Sequence, residues 1–264
     1  MTLFCNTIRF AAVVVAVTTA TALCQLHAAE TASGDDLALI APTPYEARYE
    51  ARARGLSTDA YRNLVETGDN IYQLSHGLSL RLLGANLITV AESSHFYWLD
   101  RGAVPVSYAF EQSGLRKRRE TISFDWDSHS ASVTRGDRQS ETQISEGLLD
   151  NLSFTAQMSS QLNARPELLT PGTTLTYQIL DGTEPETQEY RITAREMVDT
   201  LAGALDTVVI ERVRDPEADR STIIWLAVEH ELVLAKLVQI EDGDRTELLL
   251  ESLTMADVSL GLSE

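Results

Sequence analysis

The chain is almost without cysteine. Cys5 and Cys24 are its only two, and both fall in the first 29 residues. The rest of the sequence therefore excludes disulfides, thiol catalysis and cysteine metal ligands. Lysine is nearly as scarce: Lys117 and Lys236 are the only ones, so almost all positive charge is arginine. Signature motifs are missing too. There is no G-x-G-x-x-G, no G-x-x-x-x-G-K and no HExxH pair, so the usual marks of dinucleotide, nucleoside-phosphate and zinc sites are absent. Gly77-Leu78-Ser79-Leu80-Arg81 ends in arginine where a nucleophile elbow needs glycine. Glu241-Asp242-Gly243-Asp244 lacks the ligand spacing of a calcium loop and reads as a tight turn.

Basic residues number 21 against 39 acidic ones, a formal charge of −18. Phosphate backbones need concentrated Lys and Arg, so nucleic acid is excluded as a partner. Residues 1–29 read as a cleavable signal peptide, with Arg9, the apolar run Phe10–Val17, and small residues after it. Ala20-Thr21-Ala22 is one small-x-small cleavage site, and Ala28 or Ala29 offers a second. The apolar run is far short of the ~20 residues that span a bilayer, so no transmembrane span is expected after cleavage. Thr21-Ala22-Leu23-Cys24 has the order of a lipobox wrong, so anchoring through Cys24 is not expected. These features predict a periplasmic location.

Residues 30–44 read as a flexible lead-in, 45–256 as a single β-rich domain and 257–264 as a tail. Within the domain the dominant period is two. Val104, Val106, Tyr108 and Phe110 alternate with Pro105, Ser107 and Ala109, and Leu175, Tyr177 and Ile179 alternate with polar neighbours. Such runs are half-buried antiparallel strands. Turn residues separate them at Asp100-Arg101-Gly102, Asp181-Gly182 and Asp242-Gly243. The expected fold is mainly β, an antiparallel meander forming an open barrel or half-barrel, with one short helix at about 146–163. Leu148, Leu152, Thr155, Ser159 and Leu162 form that helix's stripe, and Pro166 stops it. Residues 56–66 fit either a helix or a strand.

Phe124-Asp125-Trp126-Asp127-Ser128-His129 places two carboxylates and a histidine two apart. On a strand the two Asp Cα atoms sit ~6.5–7 Å apart, which favours a wet strand face running into a turn over a metal centre. His76 shares a face with Tyr72, Leu74, Leu78 and Leu80, so it points inward. Phe96-Tyr97-Trp98 must use both faces of a strand, one of which is a candidate cavity wall. Arg116-Lys117-Arg118-Arg119 is a basic run in an acidic chain, suited to an anionic headgroup or to pairing with acidic neighbours. The candidate ligand-binding residues are therefore His76, Tyr97, Trp98, Arg116, Lys117, Arg118 and Arg119. No catalytic set, metal or cofactor is called for.

Tyr45-Glu46-Ala47-Arg48-Tyr49-Glu50 after a proline, the basic run before Phe124-Asp125-Trp126, Val208–Val213, and Asp219–Ala227 occur in an order that resembles the bacterial secreted family catalogued as domain of unknown function 3108. The resemblance spans about residues 43–256. It implies an all-antiparallel β architecture in the cell envelope, with residues 57–66 as a strand, and it implies no activity. A curved sheet around a helix is also similar in outline to periplasmic lipoprotein carriers, an analogy of fold alone. The expectation is a non-enzymatic binding or carrier module for an apolar or amphipathic envelope molecule, such as a lipid, or for an envelope protein. The alternatives are an envelope hydrolase with an unfamiliar site and a structural or assembly factor.

Overall fold

Alternation of apolar and polar residues puts every second side chain on one face and commits the chain to sheet. A computed structural model describes residues 38–261 apart from 54, 83–84, 115–116, 216 and 257, and sixteen strands lie among them. The first eight are β1 (Tyr45–Ala53), β2 (Leu56–Gly68), β3 (Ile71–Leu82), β4 (Ala85–Leu99), β5 (Gly102–Gly114), β6 (Arg118–Asp125), β7 (Ser130–Arg135) and β8 (Arg138–Gln143). The short β9 (Leu148–Leu149) and the helix α1 (Ser153–Ala164) follow. Then come β10 (Thr174–Leu180), β11 (Pro185–Thr200), β12 (Gly203–Val213), β13 (Arg220–Ala227), β14 (Val233–Glu241), β15 (Asp244–Met255) and β16 (Val258–Leu260). Residues 57–66 are strand, as the resemblance implied. No helix among the described residues is long and apolar enough to cross a membrane.

β1–β8 form one meander and β10–β15 a second, and antiparallel pairing of β1 with β15 joins them into a single sheet. The sheet ends at β8 on one side and at β9, which pairs parallel with β10, on the other. Residues 144–147 alone connect those two ends in the chain. At ~3.5 Å per residue they hold the ends within ~18 Å. The sheet therefore curls into an open barrel without closing.

Turn chemistry sets the hairpins. Glu241 pairs with Asp244, leaving Asp242 (φ 52°) and Gly243 (φ 80°) as the two central residues. Positive φ at both positions is the geometry whose twist matches the flanking strands. The carboxylate motif at Asp125, Asp127 and His129 likewise runs into a turn. Asp125 Oδ1 accepts from the backbone N–H groups of Asp127 (3.0 Å) and Ser128 (3.1 Å), and His129 has φ 53°.

The helix is shorter than the expected 146–163. Asp150, fully buried, accepts from the N–H groups of Leu152 and Ser153, both at 2.8 Å, and from Ser94 Oγ at 2.6 Å. Those orphan donors belong to a first helical turn, so α1 begins beyond Asp150. Leu148, assigned to the helical stripe, lies in β9 instead. α1 buries Phe154, Met158 and Leu162 inside the curl, and its polar side chains tie it there. Gln157 accepts from Ala103 N–H (2.8 Å) and donates to Arg101 O (3.1 Å). Ser159 Oγ donates to Leu232 O at 3.1 Å, and Tyr177 O–H to Gln161 Oε1 at 2.9 Å. Both meanders are thus tied to one helix.

The expected signal segment lies outside the described residues. The described part of the lead-in is not the loose chain expected: Leu39 N–H donates to Asp100 O at 2.9 Å, and Ile40 O accepts from Ser160 Oγ at 2.6 Å. The expected tail contains β16, which pairs with β15.

Candidate functional site

Residues opposite one another on neighbouring strands share a face, so register lays side chains in transverse rows. One row runs Leu64, Leu74, Ser94, Tyr108, Ile122 and Val133 across β2–β7. All six are buried. The adjacent row on the same face runs Arg62, His76, Glu92, Phe110, Glu120 and Arg135. This second row is mostly ionisable, and its first five members line a cavity of about 700 Å³ between the concave sheet and α1. The opposite wall comes from β11–β15, with Tyr190, Ile224, Leu226 and Leu237 among its members. Thr155, Ser159 and Ser160 of α1 also reach the cavity, as do Ile40–Thr43.

Burial perturbs the polar row. Desolvation raises the Glu92 carboxyl to about 7, although the Tyr108 hydroxyl and the Arg62 charge oppose the rise. Tyr108 O–H donates to Glu92 Oε1 at 2.5 Å. Burial, then the Arg62 charge, push the His76 imidazole down to about 4. Arg62 donates to Tyr45 Oη at 3.1 Å and to Thr155 Oγ1 of the helix. Glu120, 2 % exposed, accepts from Arg135 Nε at 2.6 Å and from Arg118 at 3.4 Å. Arg118 also lies over the Phe110 ring, 5.1 Å from its centroid.

Five arginines line the cavity (Arg62, Arg118, Arg212, Arg214 and Arg220), against four carboxylates: Glu92, Glu120, Asp181 and Glu231. In a chain of charge −18 this is a local reversal of the overall balance. Among the described residues no group of three or more His, Cys, Asp or Glu is placed to hold a metal ion.

Of the residues singled out from sequence, His76 and Arg118 reach the cavity. Tyr97 and Trp98 do not. Trp98 sits in the core, edge-on to Phe96 at 6.4 Å between centroids, and Tyr97 is on the outer face at 44 % exposure. The face that three consecutive aromatics share with the interior is packing, not cavity wall. Lys117 and Arg119 are exposed, and Arg116 lies outside the described residues. Alternation puts only Arg118 on the face of Glu120, where it reaches the cavity with its side chain still 59 % exposed. Sequence reasoning missed Glu92, Arg212 of β12 with Arg214 just beyond it, and Arg220 of β13. A signal existed for each. Glu92 is in phase with Phe96 and Trp98, and Arg212 and Arg214 continue the inward face of Val208 and Ile210.

The near-miss nucleophile motif has a packing explanation. Gly77 pairs with Tyr61, and a Cβ at Gly77 would lie 2.7 Å from the Tyr61 ring. The glycine makes room for a cross-strand aromatic cover.

An open curved sheet, one internal helix and a polar-apolar cavity between them define a barrel-like β protein with an internal site. The profile of the family described as "Protein of unknown function (DUF3108)" matches residues 45–249, and the chain belongs to that family. Among solved structures, it is similar to a beta-barrel-like protein of domain of unknown function DUF1849 from Brucella abortus, at 10% identity and a TM-score of 0.54. The likeness covers 83% of this chain and 100% of that one, and it is a likeness of fold. No curated protein matches the chain significantly.

Proposed function

We propose that this chain is a non-enzymatic binding or carrier module of the bacterial cell envelope, exported to the periplasm, whose cargo is an amphiphile held between the concave sheet and α1. The cavity carries the reading. Its volume of about 700 Å³ falls in the ~300–1,000 Å³ range of small-molecule sites. Apolar side chains such as Ile224, Leu226 and Leu237 face the polar row across it, and that mixture suits a molecule with an oily part and a polar part. The leader of residues 1–29 supports export.

Native mass spectrometry of gently purified protein, and titration with the neutral dye N-phenyl-1-naphthylamine, test the proposal. A co-purifying amphiphile is expected, with saturable dye binding that Thr222→Trp, at a residue of the cavity wall, blocks and Tyr97→Ala leaves alone. Protein without adduct and without saturable dye binding would refute it.

A second reading is an envelope hydrolase. Glu92 favours it: a carboxyl near 7 beside a tyrosine hydroxyl and a histidine suits general acid–base work at neutral pH. Ester turnover that Glu92→Gln abolishes would support this reading, and rates equal to buffer would dismiss it.

A further inference from the structure

Arg212, Arg214 and Arg220 converge at one end of the cavity. Register explains the convergence. Arg212 pairs with Tyr190, which sets the next inward residue, Arg214, beside Gln188. The pairing of Glu211 with Ile223 brings the start of β13, Arg220, to the same end. All four side chains, with Tyr190, line the cavity.

The carboxylates facing this cluster do not satisfy it. Glu186 Oε2 is 3.8 Å from Arg212 and Glu241 Oε1 is 4.0 Å from Arg220, and both acids are more than half exposed, where ion pairs are weak. Asp181 is the half-buried acid nearby, and it also accepts from Asn151 Nδ2 at 3.3 Å. The Gln239 amide, oriented to satisfy both groups, accepts from Arg220 Nε at 2.9 Å. Two donors remain. Tyr190 O–H donates to Gln188 Oε1 at 2.8 Å, which directs the amide. Gln188 is 4% exposed, yet its Nε2 has no partner among the described residues, and neither has the buried Nε of Arg214. Unpaired buried donors are costly, and clustered guanidinium groups repel. Burial, then the charges of Arg212 and Arg220, lower the Arg214 pKa, as expected of a cation short of a counter-ion.

We infer that this end of the cavity is an anion subsite that takes the phosphate or carboxylate head of the bound amphiphile, with Gln188 Nε2 and Arg214 Nε as its buried donors and Arg212 and Arg220 completing its charge. The inference rests on the amphiphile reading and adds the chemistry of the head. Planar guanidinium forks match the oxygens of both anions. The apolar residues Ile224 and Leu226 continue inward from Arg220 on the same strand face, where the tail would run.

Calorimetric titration of the purified protein with dodecyl phosphate, dodecanoate, dodecanol and inorganic phosphate tests it. Both charged amphiphiles should bind more tightly than dodecanol by on the order of tenfold, a preference that added salt weakens. The tighter of the two names the head. Arg212→Gln with Arg214→Gln should remove the preference, with far-ultraviolet dichroism confirming that the variant folds. Dodecanol binding as tightly as the anions overturns the subsite and spares the amphiphile reading. Inorganic phosphate binding as tightly as dodecyl phosphate supports the subsite and overturns the amphiphile. No binding of any probe overturns both. The comparison of head groups needs no variant, so a misfolded mutant does not shield the inference.

Discussion

Glu92 and His76 sit opposite each other on β4 and β3, and the fold displaces them in opposite senses. Glu92 moves from 4.5 to about 7, and His76 from 6.5 to about 4. Between pH 4.5 and about 7 the folded protein keeps the Glu92 proton that the unfolded chain releases. The stability from Glu92 is therefore full below pH 4.5 and is lost as pH rises through about 7. His76 is the mirror case. The unfolded chain is protonated between about 4 and 6.5, where the folded imidazole is neutral, so its stability is present above 6.5 and lost as pH falls through about 4. At ~1.4 kcal/mol per pH unit, each contributes about 3 kcal/mol. Neither group is among the causes of the other's displacement, so the two slopes cancel between pH 4.5 and 6.5 in the wild type. Single variants should unmask them. Relative to wild type, Glu92→Gln should gain about 3 kcal/mol as pH rises from 4.5 to about 7. His76→Gln should lose about 3 kcal/mol, relative to wild type, as pH rises from about 4 to 6.5. Guanidinium unfolding followed by the fluorescence of the three tryptophans, at a series of pH values, measures both differences. Subtracting the wild-type curve removes the other carboxylates. A Glu92→Gln difference that stays flat with pH would refute the reasoning.

Two further outcomes follow from the way the helix is held. Asp150→Ala removes three accepted hydrogen bonds at a fully buried position and strands the Ser94 hydroxyl, so the unfolding midpoint should fall by the equivalent of about 3 kcal/mol; a loss below ~1 kcal/mol would show that the carboxylate does not start the helix. Gly102→Ala meets a φ of 108° and places its Cβ 1.9 Å from Gln157 Oε1, displacing the amide from Ala103 and Arg101, whereas Gly136→Ala at φ 57° meets open space; thermal melting should show Gly102→Ala costing about 3 kcal/mol and Gly136→Ala about 1 kcal/mol, and equal losses would contradict the helix tie.

Much of the architecture is legible along the chain. Period-two runs announce the strands, Asp-Gly pairs announce the hairpins, and the alternation around His76 announces an inward side chain. These signals are local, because side-chain direction on a strand and positive φ in a turn depend on a few neighbouring residues. Residues 56–66 show the limit of such reasoning: Ala60, Tyr61, Leu64 and Val65 have helical spacing, and pairing with β1 and β3 overrides it. The helix start shows another limit. The residues from Ser145 fit a helical period, but the buried Asp150 decides where helical hydrogen bonding begins.

The sequence alone determined a β protein of antiparallel ribbons with one helix and an acidic exterior. Only the tertiary structure decided which ionisable groups meet. Alternation announced only His76 as inward; register across four hairpins put Glu92 in one row with Arg62, His76 and Glu120. The basic run at 116–119 was visible in the chain, but the arginines that gather at the cavity's end are Arg212, Arg214 and Arg220, which form no run in sequence and meet by the pairing of β12 with β13. A one-residue slip in any pairing would turn a whole strand over, and curling of the sheet brings together residues more than a hundred positions apart. Those are properties of long-range pairing, which no local pattern encodes.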